Sequence, residues 1–133
     1  MEFFTFGKNL NLYRNLKAED VQKRISKTFE IENPEKFQNI IGAMLELRNA
    51  CAHGDVLYDF SLPMGLPNFS VFGFIGSDRQ SIFACYKVLN YLVRSISVNR
   101  QIQLEREINE LLHKHKLNET IQSIIETKMK FSR

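Results

Sequence analysis

The sequence predicts an all-α helical bundle with one irregular loop or small hairpin inserted at about 55–77. Three observations carry that expectation. Apolar residues recur at i, i+3 and i+4 along most of the chain, residues that start and stop helices punctuate the pattern, and the β-prone runs are confined to one segment. With 133 residues, 44% of them hydrophobic and 25% charged, the chain fits one globular domain over 1–133. Six Gly and three Pro leave no room for a low-complexity linker, and no internal repeat is visible.

The first helix is expected over 2–16, with Phe3, Phe4, Phe6, Leu10 and Tyr13 at mostly helical spacing and Gly7 as a weak point. A second is expected over 18–29, where Val21, Ile25 and Phe29 fall at i, i+4 and i+8 and Glu19 and Asp20 suit the N-terminal dipole. Asn33-Pro34 is a strong start signal for the third: an Asn cap, then Pro at the first helical position. Phe37, Ile40, Ile41, Met44, Leu47 and Cys51 give it an apolar face, and Gly54 ends it. Val56-Leu57-Tyr58 and Ser70 to Ile75 are short β-prone runs around Leu62-Pro63-Met64-Gly65-Leu66-Pro67. Ser77 and Asp78 are placed to cap a fourth helix carrying Ile82, Tyr86, Leu89, Val93 and Ile96 on one face. A fifth helix is expected near 100–115 with Leu104, Ile108, Leu111 and Leu112. A sixth starts at Asn118, with Ile121, Ile124, Ile125 and Met129.

Composition narrows the function classes. Arg94 interrupts the longest apolar run, and Met-Glu-Phe-Phe lacks a basic leader, so neither membrane spanning nor secretion is expected. Cys51 and Cys85 both sit in apolar helical patterns and are expected to be buried thiols in a reducing cytoplasm. The net charge of +3 is spread along the chain, so charge alone does not mark a nucleic-acid binder. No zinc spacing, phosphate-cradling Gly loop or Ser-His-Asp pattern is present, and no cofactor or metal is expected. His113 and His115, two apart, point to different sides of a helix and make no metal pair.

The informative stretch is Glu46-Leu47-Arg48-Asn49-Ala50-Cys51-Ala52-His53-Gly54-Asp55. At about 100° per residue, Arg48 falls in the middle of the stripe made by Phe37, Ile41, Met44 and Cys51. A buried guanidinium keeps its charge and demands an anionic partner or a run of carbonyls. Glu19, Asp20, Asp55, Asp59 or Asp78 would supply a structural ion pair, and an anionic ligand would supply a functional one. His53 reads either as a helix-end histidine favoured by the dipole or as a proton-transfer group. Arg48 and His53 diverge by about 140° on a regular helix, whereas Asn49 and His53 share a face with Glu46.

Taken jointly, Arg-Asn-Ala-Cys-Ala-His resembles the Arg-x4-6-His signature of the HEPN superfamily of small helical ribonucleases and RNA-associated domains. Phe6-Gly7, Leu12-Tyr13, Leu47 to His53 and Leu57-Tyr58 together resemble the C-terminal half of Abi-like (abortive phage infection) proteins, over roughly residues 3–112. The motif His is followed by Gly54, where many relatives carry a second polar residue. The resemblance implies a metal-independent endoribonuclease, with Arg48, Asn49 and His53 as catalytic residues and two motifs paired across a homodimer. It implies further that a partner, an antitoxin or the missing N-terminal half covers an apolar surface. Tyr58, with Phe72 and Phe74, is a candidate for stacking on bases, and Lys114 and Lys116 for contacting RNA phosphates. The other readings are a catalytically silent HEPN domain that binds RNA or a protein, and a structural bundle segment.

Overall fold

The computed structural model describes residues 5–68 and 76–131. Among them are six α-helices: α1 Phe6–Arg14, α2 Glu19–Thr28, α3 Pro34–His53, α4 Ile82–Ile96, α5 Val98–Lys114 and α6 Glu119–Thr127. No strand occurs among the described residues, only an isolated antiparallel bridge between Ser61 and Ser81. The fold is all-α, as the periodicity requires.

α3 is the hub, packing against α1, α2 and α4, while α4 pairs most extensively with α5. Its start is the one read from sequence. Asn33 Oδ1 accepts from the backbone N–H of Glu35 (2.9 Å) and of Lys36 (3.2 Å), and Pro34 occupies the first turn. Its end is as sharp. Gly54 sits at φ 69°, and Asp55 N–H closes back onto the Ala50 carbonyl at 2.9 Å, the six-to-one bond of a Schellman end. α1 and α2 are clasped by reciprocal bonds: Tyr13 Oη donates to the Gln22 carbonyl and Gln22 Nε2 donates to the Tyr13 carbonyl, both 2.9 Å.

Several boundaries and faces differ from expectation. α1 opens at Phe6 with Thr5 as its cap and ends at Arg14; Phe3 and Phe4 lie outside the described residues. Gly7 is no break: a Cβ there would stand 3.7 Å from Leu45, so it marks where α1 lies close to α3. Leu57–Asp59 forms a short 3-10 turn rather than a β-prone run, and Ser70 to Ile75, the second such run, lies outside the described residues. The cap of α4 is Ser81, whose Oγ accepts from Ala84 N–H at 3.2 Å, because Gly76–Gln80 is itself a 3-10 turn. The buried face of α4 is Ile82, Ala84, Cys85, Val88 and Leu92, while Ile96 is 76% exposed. α5 begins at Val98, capped by Ser97, and α6 begins after Asn118 as expected.

The core gathers Tyr13, Phe37, Ile40, Met44 and Leu47 against Cys85, Val88 and Leu92. Leu62 and Leu66 anchor the irregular segment from beneath, almost fully buried. Beyond α6, Met129 accepts from Phe83 N–H (3.2 Å), and Phe131 packs its ring 4.7 Å from that of Phe83, joining the chain's end to α4.

Candidate functional site

Arg48, Asn49 and His53 occupy the last turns of α3, held straight by the helix and ended by Gly54. Arg48 is exposed, contrary to the reading that put it in a buried stripe. The residues that α3 buries are Phe37, Ile40, Ala43, Met44, Leu47 and Ala50. Their arc centres about 90° away from Arg48, so the guanidinium escapes the core on its flank. No carboxylate pairs with it among the described residues; instead Arg48 Nη1 donates to Asn49 Oδ1 at 3.1 Å. Cys51 is also exposed, which corrects the expectation of two buried thiols. Cys85 is buried, and that burial pushes its thiol up to about 12.

His53 is exposed in the final turn. Within one chain the regular helix keeps Arg48 and His53 apart by about 140° and by about 7.5 Å of rise, so one subunit does not converge them. Asn49 lies between, on the His53 side, and its contact with Arg48 is the only side-chain hydrogen bond joining members of the motif among the described residues.

The other expected site residues are dispersed. Tyr58 is 47% exposed on the 3-10 turn after α3, with Lys128 Nζ 5.8 Å from its ring centre and bridging to Asp59 at 3.2 Å. Phe72 and Phe74 lie outside the described residues. Lys114 and Lys116 are exposed around the α5–α6 turn, at the end of α6 opposite Lys128. A nine-residue helix of about 13 Å thus separates them from Tyr58's neighbour. Among the described residues no group of three or more His, Cys, Asp or Glu is placed to hold a metal ion, and no helix is long and apolar enough to cross a membrane.

Among the concavities along α3, one lies on each side of the motif's axis. On the Arg48 side, an apolar groove of about 430 Å³ is lined by Phe6, Leu12, Val21, Ile25 and Ile41. Ile41 and Arg48, two turns apart, differ by only about 20° on the wheel. On the His53 side lies a smaller cleft that includes Asn39, Gly42 and Glu46. These three share an arc of about 80° with Asn49 and His53. Sequence reasoning passed over Asn39 and Gly42, although extending the wheel below the motif would have found them.

Residues 1–59 match the family model for Abi-like proteins. The Abi-like match spans α1, α2, α3 and the 3-10 turn, and so contains the whole Arg48–His53 motif and Leu57-Tyr58. No curated protein and no solved structure matches the chain.

Proposed function

We propose that the chain is a metal-independent endoribonuclease, a toxin-like effector of abortive phage infection that works in the cytoplasm through a composite site between two copies. The observation that carries this reading is the state of the motif: Arg48 and His53 are both exposed, and Arg48 is held by Asn49 instead of by a structural carboxylate. An exposed arginine held by a neutral amide keeps its charge available for a phosphate. The Abi-like match over the same residues supports the assignment.

A second copy solves the divergence of Arg48 and His53. The apolar groove on Arg48's side of α3 gives such a copy a surface to cover, and burying it sets Arg48 at the junction. An antitoxin would act by occupying the same surface. In the composite site His53 takes the proton of a ribose 2′-OH, and O2′ attacks the adjacent phosphorus. The P–O5′ bond breaks, and the partner copy's histidine returns a proton to the leaving 5′ oxygen. Arg48 stabilises the charge that develops on the phosphoryl oxygens, with Asn49 fixing its fork. The products are a 2′,3′-cyclic phosphate and a 5′-OH, and DNA, lacking the 2′-OH, is not cut.

The test is single-turnover cleavage of end-labelled RNA in EDTA, comparing wild type with His53→Ala purified identically. Cyclic-phosphate ends formed by the wild type and lost in the variant are expected. Equal cutting by both, or none by either, sinks the nuclease and leaves a silent RNA- or protein-binding domain.

A further inference from the structure

The cleft on the His53 side of α3 is built from three walls. α3 supplies the floor with Asn39, Gly42 and Glu46, α1 supplies Arg14, and the irregular segment supplies Pro63 and Met64. Its volume is about 210 Å³, the scale of a single nucleobase rather than of a peptide or a lipid chain. The segment wall is fixed. Leu62 N–H donates to the Gln80 carbonyl and Leu66 N–H to the Arg79 carbonyl, each at 3.0 Å, and both leucines are 2% exposed or less. Between these anchors Met64 projects at the mouth, 76% exposed. A thioether so placed offers a polarizable surface for the face of an aromatic ring.

The polar groups are the informative part. A Cβ on Gly42 would come 3.4 Å from Arg14 Nη2, so the guanidinium lies across the floor where glycine leaves room. Glu46 lies one turn further along the same floor. Among the described residues, the side chains of Arg14, Asn39 and Glu46 have neither a hydrogen-bond nor an ion-pair partner. An acid and a base that share one small cleft without pairing present separate acceptors and donors to whatever enters. The cleft opens on the face of α3 that also carries His53: Glu46, in its lining, stands two turns below His53 on that face, about 10.5 Å along the axis. That span is of the same order as the distance from a phosphate to the outer edge of the base beside it.

We propose that this cleft selects a guanine base next to the cleaved phosphate of single-stranded RNA. Glu46 accepts from the guanine N1–H and exocyclic amine, and Arg14 donates to O6. Two adjacent acceptors beside one donor reproduce the edge that cytosine shows to guanine. Adenine sets an acceptor against the carboxylate, cytosine sets two, and uracil has a single donor between two acceptors. Guanine alone satisfies both acceptors and the donor, and a carboxylate receiving two donors makes a strong charge-assisted pair. Unstacked bases of single strands expose this edge for reading. The inference rests on the ribonuclease reading for its substrate class.

The experiment measures binding apart from cutting. Fluorescence anisotropy with labelled 2′-fluoro RNA hexamers, which lack the attacking hydroxyl, compares a central guanine with adenine and with hypoxanthine. Wild-type protein is expected to prefer guanine over adenine by about tenfold or more, the scale of hydrogen bonds to a charged group, with hypoxanthine intermediate. Glu46→Gln abolishes the preference and Arg14→Ala weakens it. Because Glu46 is exposed and unpartnered among the described residues, its variant is expected to melt as wild type does, which circular dichroism checks. Equal binding of guanine and adenine, or a preference that survives Glu46→Gln, overturns the guanine site. His53-dependent cleavage without base preference has the same effect and leaves the nuclease standing. Guanine-selective binding without any His53-dependent cleavage does the reverse.

Discussion

Arg48 lies on the edge of the buried arc of α3 instead of at its centre, and the cause is which residues make that arc. Reading the stripe from its largest members, Phe37, Ile41 and Met44, rotates it toward Arg48. The structure buries Ala43 and Ala50 on the opposite flank, and Ile41 is left half-buried at the apolar groove. Cys51 falls inside the arc on the wheel but beyond Ala50, where the core has ended. An exposed arginine contributes charge without holding up the fold, so Arg48→Ala is expected to change unfolding free energy by less than about 0.5 kcal/mol. Had Arg48 served a buried ion pair, its loss would cost about 3–5 kcal/mol. Urea denaturation of the two proteins side by side separates these magnitudes easily, and a multi-kilocalorie loss would return Arg48 to a structural role. RNA cleavage by the same variant is expected to vanish, since no other side chain supplies its guanidinium.

Helix ends were more legible than helix faces. Asn33-Pro34, Gly54 and Asn118 are local signals, each acting within one turn, and all three boundaries stand where the residues put them. The start of α4 differs from expectation because Ser77, Asp78 and Ser81 all have cap chemistry, and the 3-10 turn over Gly76–Gln80 decides among them. Faces depend on what packs opposite. In α4 the most deeply buried positions are Ala84, Cys85 and Val88, small side chains that a face drawn through the largest apolar residues leaves aside. The candidate site was readable only as far as it is local. The motif and its place at a helix end follow from the residues 46–55, whereas the cleft needs Arg14 and Pro63-Met64, brought together by tertiary folding. Gly54 offers the clearest test at this scale. A Cβ added there meets nothing within 4 Å, so steric crowding is absent and only the left-handed backbone at φ 69° resists substitution. Gly54→Ala is therefore expected to cost about 1 kcal/mol and to fray the last turn. Asn at the same position should recover part of that loss, since Asn tolerates this conformation. Thermal melts of the three proteins check the order, and an Ala variant as stable as wild type would show that the Schellman end does not hold His53.

Across the molecule, burial acts on several weak acids in one direction. Burial pushes the Cys85 thiol up to about 12, and burial first of all raises the Tyr13, Tyr86 and Tyr91 phenols, with Glu105 adding to Tyr86 and Glu30 to Tyr91. The folded chain thus holds protons that the unfolded chain releases at ordinary values, near 9 for the thiol and near 10 for the phenols. Stability from these groups is fully present below the unfolded values and declines as pH rises toward the folded ones. The urea midpoint is expected to show no decline from these groups between about pH 7 and pH 8, then to fall from about pH 9 onward. Cys85 is central to this behaviour because it lies on the face where α4 meets α3, at 0% exposure, and its ionisation cannot be accommodated without opening that contact. Cys85→Ala lowers the midpoint at neutral pH by leaving a small cavity, so its absolute stability is uninformative here. The informative quantity is the slope between about pH 9 and pH 10, where the thiol of the unfolded chain ionises before most of the phenols. That slope should be shallower in the variant and stay shallower up to about pH 12, where the folded thiol itself ionises, while the further loss that the tyrosines add above about pH 10 persists in both. Parallel curves for the two proteins would show that the thiol's burial is relieved by local opening of α4, which would leave the tyrosines alone responsible for alkaline unfolding.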